Sequence, residues 1–185
     1  AVGRYHSLTE VEVSGSDQWL LTADNRGFIT VWDGQALMQC VRDAAQPLVS
    51  RADVDAAADA TSDSAASTVL DETTPLPCSL SSIQRDQWQA TEDGAAVRAM
   101  SLLTDGCYVA TAAADGAIAL WPLDPSTGMR RAEPSVIHRF EDHLPYAIDL
   151  KQEDDRLLIA ADGPNNRVWL RDVAIDAQTR CASPL

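Results

Sequence analysis

Lysine is almost missing from this chain. Lys151 is the single lysine among 185 residues, the other thirteen cations are scattered arginines, and 28 acidic residues leave a formal net charge of −14. Neutralising a phosphate backbone takes clustered Lys and Arg. Only Arg130-Arg131 are adjacent, so direct nucleic-acid binding is disfavoured. Histidine is also sparse, at His6, His138 and His143. The four cysteines, Cys40, Cys78, Cys107 and Cys181, have no Cys-x-x-Cys spacing, which speaks for neither a zinc site nor a redox motif. Cys40 and Cys107 read as small buried hydrophobes on strand faces. No apolar run is long enough to span a bilayer and none resembles a secretion signal. The G-x-S-x-G elbow and the phosphate-binding loop are missing. The acid pairs Glu141-Asp142 and Asp154-Asp155 fall in turn-like stretches, where solvated carboxylates are ordinary. The expectation is a non-enzyme with no cofactor or metal and no membrane contact, in a reducing intracellular compartment, cytoplasmic or nuclear.

What the chain does have is a repeated hairpin. Trp19 to Asp33 reads WLLTADNRGFITVWD and Tyr108 to Pro122 reads YVATAAADGAIALWP. Without a gap they match Thr22 with Thr111, Ala23 with Ala112, Gly27 with Gly116, Ile29 with Ile118 and Trp32 with Trp121. Each is an apolar strand, an Asp/Asn/Gly turn and a second, β-branched strand ending in Trp. A worn third copy runs from Arg156 to Asp172, with Arg171-Asp172 where the first has Trp32-Asp33. Its Trp169 lies two positions early and is expected on the other face of its strand, away from the Trp place. One more strand precedes each hairpin, at Leu8 to Val13, Val97 to Leu103 and Ala147 to Leu150. Ala36 to Val41 and Val136 to Phe140 are expected as fourth strands. Four short antiparallel strands per unit describe one propeller blade, and the fold class is all-β.

These residues resemble the WD-repeat β-propeller family, whose unit of about 40–45 residues has Gly-His near its start and Trp-Asp near its end. His6 and His143 fall where that family places its His. The resemblance implies a hydrogen-bonded network of buried His, strand Thr, turn Asp and Trp in each blade. Its members here are His6, Thr22, Trp32 and Asp33 in the first copy, Thr111, Asp115 and Trp121 in the second, and His143 and Asp172 in the third. No copy keeps all four: Arg26 stands at the Asp place of the first, the second has no His near Gly94, and the third lacks the Trp. The resemblance also implies a binding face at the hairpin turns and inter-blade connections, on Asp24, Asn25, Arg26, Ala114, Asp115, Leu144, Tyr146, Asn165 and Asn166.

Four stretches follow: 1–41, the end of a preceding blade plus a first blade; 42–95, an acidic, Ala/Ser/Asp-rich insertion; 96–135, a second blade; and 136–185, a third blade incomplete at its end. About three blades are expected, as part of a larger propeller, because closed propellers typically have 4–8 and the chain lacks an initiating Met. The insertion should be mostly disordered, since few of its residues can offset chain entropy by burial. Its one apolar foothold is Ser81 to Gln89, where Trp88 is expected to tack the returning chain onto the propeller. From Asp43 to Ala95 ten acids face only Arg51 and Arg85, which makes this stretch either a solvating loop or an arm that steers basic partners.

The function expected is that of a non-catalytic scaffold for protein–protein interactions within an intracellular multiprotein complex. Two alternatives stand beside it: a propeller that reads short basic peptides such as histone-like tails, and a propeller enzyme with a site in its central channel.

Overall fold

The computed structural model describes residues 7–52 and 78–175, the side chains of 45–52 excepted. The expectations for His6, for Cys181 and for the centre of the insertion, 53–77, lie outside those residues. Eleven described strands form three antiparallel sheets. The first runs β1 (Leu8–Val13), β2 (Trp19–Asp24), β3 (Phe28–Asp33) and β4 (Gln84–Gln89). The second runs β5 (Val97–Leu102), β6 (Tyr108–Ala113), β7 (Ala117–Pro122) and β8 (Ser135–Arg139). The third has β9 (Ile148–Glu153), β10 (Arg156–Gly163) and β11 (Arg167–Ala174). These are three propeller blades in chain order.

The repeat seen in the sequence reappears in the backbone. A break in pairing register falls between Leu8 and Glu10 in the first blade and between Val97 and Ala99 in the second. In all three blades one N–H near the end of the second strand donates to the connection that enters the blade: Asn25 to Ser7 O (3.0 Å), Ala114 to Ala96 O (2.8 Å) and Asp162 to Ala147 O (3.2 Å).

Strand alternation decides which side chains fill the seams. Trp19, Leu21, Ala23, Ile29 and Val31 leave one face of the first blade and meet Val109, Ala119, Trp121 and Leu123 of the second. Ala110, Ala112, Ile118 and Leu120 leave the other face of the second blade and meet Leu150, Leu157, Ile159 and Ala161 of the third. The middle sheet is therefore covered on both sides, and all six residues of β6 are buried. That explains why Tyr108 to Ala113, Thr111 apart, is apolar with no polar alternation.

Ala36 to Val41 is not a strand. It lies within helix α1 (Gly34–Ala52). The Asp33 carboxylate accepts the Ala36 N–H at 2.9 Å, an N-cap bond three residues into the turn, and Gln-Ala-Leu-Met-Gln follows as a run of good helix formers. The fourth strand of the first blade is β4 instead, reached through the short helix α2 (Leu80–Ile83). The excursion thus interrupts the first blade between its third and fourth strands and does not link the first blade to the second. Its described ends are helical at Gly34–Ala52 and extended at Gln84–Gln89, so the described ends of the expected insertion 42–95 are ordered. Trp88 does tack the returning chain down: it is 5 % exposed and pairs across from Ile29.

Trp169 also needs correction. It sits opposite Ala161, and Arg171 sits opposite Ile159. A displacement of two residues is one whole strand period, so the side chain keeps its face. Trp169 turns toward the second blade, stacked on His138 (4.9 Å, 19°) and edge-on to Phe140 (6.0 Å).

Candidate functional site

Of the implied network only Thr and Trp bond to each other, and no common chain forms among the described residues. Trp32 Nε1–H donates to Thr22 Oγ1 at 2.8 Å, and Trp121 Nε1–H donates to Thr111 Oγ1 at 3.0 Å. The hairpin register sets this bond, because Thr and Trp lie on one face, across the strand pair and two rungs apart. In the third blade His143 Nε2 lies 3.3 Å from Asp162 Oδ2 and 3.1 Å from the Asp162 carbonyl. The Trp-following Asp33 turns elsewhere, to Arg85 Nη2 of β4 at 2.7 Å. The Ala36 N–H first and the Arg85 guanidinium second hold the Asp33 carboxyl below its ordinary range. Asp172 takes both oxygens to Arg156 Nε at 2.6 and 2.7 Å on an exposed surface.

The candidate binding residues share one rim, where hairpin turns meet the connections between blades. At the first turn the Asp24 carboxylate accepts N–H bonds from Arg26 and Phe28, both at 2.9 Å. Gly27 follows at φ +79°, and a Cβ there would strike Thr91 and Ala95 of the β4–β5 connection. Asn25 and Arg26 are exposed beside it, as are Glu92 and Asp93. At the second turn Gly116 repeats the device at φ +82°, its Cα facing the Phe140 carbonyl. Asp115 there binds Arg139 of β8 at 2.7 Å, and Ala114 is half-buried beside it. The third turn carries Asn165 and Asn166, both exposed and both at positive φ, which Asn tolerates better than most residues.

The connection from β8 to β9 carries the most prominent group on this rim. Tyr146 is 60 % exposed and Leu144 42 %, with Glu141 and Asp142 exposed just before them. The Tyr146 backbone is fixed because the N–H groups of Tyr146 and Ala147 both donate to Asp162 Oδ1, at 2.7 and 2.8 Å. Its ring is fixed by the Arg98 guanidinium of β5, 4.3 Å from the ring centroid. Burial acts to raise the Asp162 pKa, but those two N–H bonds together with His143 outweigh it, and the carboxyl titrates below its ordinary value. An exposed aromatic held from two sides loses little side-chain entropy on contact with a partner. In the sequence Asp162 reads only as the start of the Asp-Gly-Pro-Asn-Asn turn, and nothing local marks Arg98.

The inner strands β1, β5 and β9 adjoin one another in turn and carry a second group of acids. Burial, then the charges of Glu10 and Asp149, push the Glu12 carboxyl up. Ser101 of β5 lies 3.4 Å from Asp149 and accepts the Leu150 N–H at 3.1 Å. Among the described residues no three His, Cys, Asp or Glu side chains are grouped to hold a metal ion, and no helix is long and apolar enough to cross a membrane.

With the geometry established, the chain can be compared with solved structures. It is similar to the Dos1 propeller, with a TM-score of 0.52 and 17 % identity over 95 % of this chain and 34 % of that one. It is more distantly similar to the RRP9 WD40 repeats and to U3-55K, each with a TM-score of 0.48 and 11 % identity over 93 % of this chain and 40 % of the other. The chain spans between a third and two-fifths of the length of those structures. No family model and no curated protein matches the sequence. The first likeness agrees with the sheet order and the repeated hairpins: this chain is a run of β-propeller blades.

Proposed function

We propose that this chain is a non-catalytic WD-repeat scaffold that binds other proteins of a multiprotein complex through the rim of hairpin turns and blade connections. The observation that carries the reading is Tyr146, an exposed ring beside Arg98 on a backbone held by Asp162, next to exposed Leu144. Aromatic anchors of this kind concentrate binding energy at interfaces. The partner proposed is basic, because Glu92, Asp93, Glu141 and Asp142 are exposed in the two connections that frame the rim, and complementary charge raises encounter rates. A photo-crosslinking residue at Tyr146 should capture a protein partner from cells expressing the tagged chain, and Glu141→Lys with Asp142→Lys should reduce the yield. Equal capture from a control site on the opposite rim, at Asp105, would overturn the reading.

The acids of the inner strands favour a second reading, a propeller that reads short basic peptides. A peptide array separates the two. Binding of one Arg- or Lys-containing motif, lost in Glu12→Gln and Asp149→Asn, supports the reader, and an array with no bound motif supports the scaffold.

A further inference from the structure

The first blade is interrupted before it is complete. β3 ends at Asp33 and β4 begins at Gln84, 51 positions later. Cys40, in α1, and Cys78, just before α2, are joined in a disulfide, their Cα atoms 5.8 Å apart across a sequence separation of 38. The bond brings the two roots of the excursion together. Seven positions separate Asp33 from Cys40 and six separate Cys78 from Gln84, so the covalent path from β3 to β4 shrinks to about a quarter of its backbone length. Closure entropy varies with the logarithm of loop length, and a fourfold shortening raises the local concentration of β4 at the β3 edge by roughly tenfold.

β4 is held to β3 by backbone pairing and polar contacts, with little apolar burial of its own. Its sequence is Gln-Arg-Asp-Gln-Trp-Gln, and only Trp88 is buried. The strand nevertheless carries three contacts that complete the seam between the first two blades: Trp88 against Trp121, Arg85 Nη1 donating to the Thr127 carbonyl at 3.3 Å, and Asp86 Oδ2 accepting the Arg130 N–H at 3.3 Å. We infer that the Cys40–Cys78 bond is the fastener of β4, and that the first blade and its seam are secured only when these two thiols are oxidised. The cystine forms when the two thiols give up two electrons and two protons to a disulfide donor, such as oxidised glutathione, which leaves as two thiols. Cys40 is buried and Cys78 half-buried, so a reductant reaches the bond from the Cys78 side. No described cysteine is free. The reducing intracellular compartment expected from sequence followed from the lack of a secretion signal and of a membrane-spanning run; a structural disulfide is more usual in oxidising compartments.

The test begins with protein isolated without reductant, alkylated, digested and mapped by mass spectrometry. The expected product is the Cys40–Cys78 cross-linked peptide, and alkylated Cys40 and Cys78 in that preparation would overturn the inference. The second measurement is amide hydrogen exchange across Gln84 to Gln89 with and without a dithiol reductant. Reduction should speed exchange there by roughly tenfold while β6 and β7 keep their protection, and Cys40→Ser/Cys78→Ser should match the reduced wild type and ignore reductant. Unchanged β4 exchange after complete reduction would overturn the fastener role. The wild-type comparison stands alone if the double variant fails to fold.

Discussion

Trp88 and Trp121 meet with ring centroids 5.7 Å apart and planes inclined at 42°, one from the last strand of the first blade and the other from the third strand of the second. The contact closes a seam between a residue in a polar, late-returning strand and one in the repeated hairpin. Trp88→Ala is expected to cost about 3–5 kcal/mol, measured as a shift in urea midpoint. The Trp88 Nε1–H is buried with no acceptor among the described residues, and Phe discards that unsatisfied donor. Trp88→Phe should therefore cost less than half as much, and equal losses would mean that the indole N–H is satisfied.

Trp121 and Trp32 make the same bond to Thr in different surroundings. Trp121 is 2 % exposed between two blades, and Trp32 is half-buried on the open face of the first blade. Trp121→Ala should cost about 3–5 kcal/mol and Trp32→Ala clearly less. Trp169→Ala should fall with Trp32→Ala, since its ring is half-buried against His138 and Phe140. Thr111→Val keeps volume but strands the buried Trp121 N–H and should cost about 1–3 kcal/mol. Thermal melts of the four variants check the order.

Gly116 combines φ +82° with a Phe140 carbonyl where a Cβ would stand. Gly116→Ala meets both a left-handed backbone and a clash with main chain, and should cost more than about 1 kcal/mol. The same change at Gly163, which has no positive φ, should cost less. Chemical denaturation of the pair decides it, and the reverse order would place the turn differently.

Two carboxylates predict opposite pH responses. Glu12 is raised by burial, then by Glu10 and Asp149, so the native state holds its proton more tightly than the unfolded chain and stability falls as pH rises above about 4.5. Glu12→Gln should stabilise near neutral pH, with the gain vanishing in acid. Asp162 is lowered against the opposing effect of burial by the Ala147 and Tyr146 N–H groups and His143. Its contribution is present above the unfolded value near 4 and is lost as pH falls through the folded value. Asp162→Asn should destabilise at neutral pH and converge on the wild type in strong acid. Urea titrations across the acid range read both, and parallel wild-type and variant curves would refute the assignments.

Local pattern was sufficient for what is local. The hairpins Trp19–Asp33 and Tyr108–Pro122 were legible because strand, Gly turn and β-branched strand follow one another within fifteen residues, and the turn glycines Gly27 and Gly116 are demanded by backbone conformation alone. α1 was legible in principle, since Asp33 caps a run of good helix formers, but the expectation of a fourth strand overrode that signal. The placement of Trp169 needed only the period of a strand. Tertiary structure alone decided the rest. Gln84–Gln89 carries one buried residue, so nothing in its own composition marks it as a strand; it becomes one because the β3 edge, 51 positions earlier, offers unpaired backbone groups and the Trp121 face offers Trp88 a place. The Cys40–Cys78 bond and the Arg98 contact with Tyr146 arise in the same way, from segments far apart in sequence that the packing of blades brings within bonding distance. Sequence by itself determined which segments form blades, and the tertiary structure decided which distant strand, cation and thiol complete them.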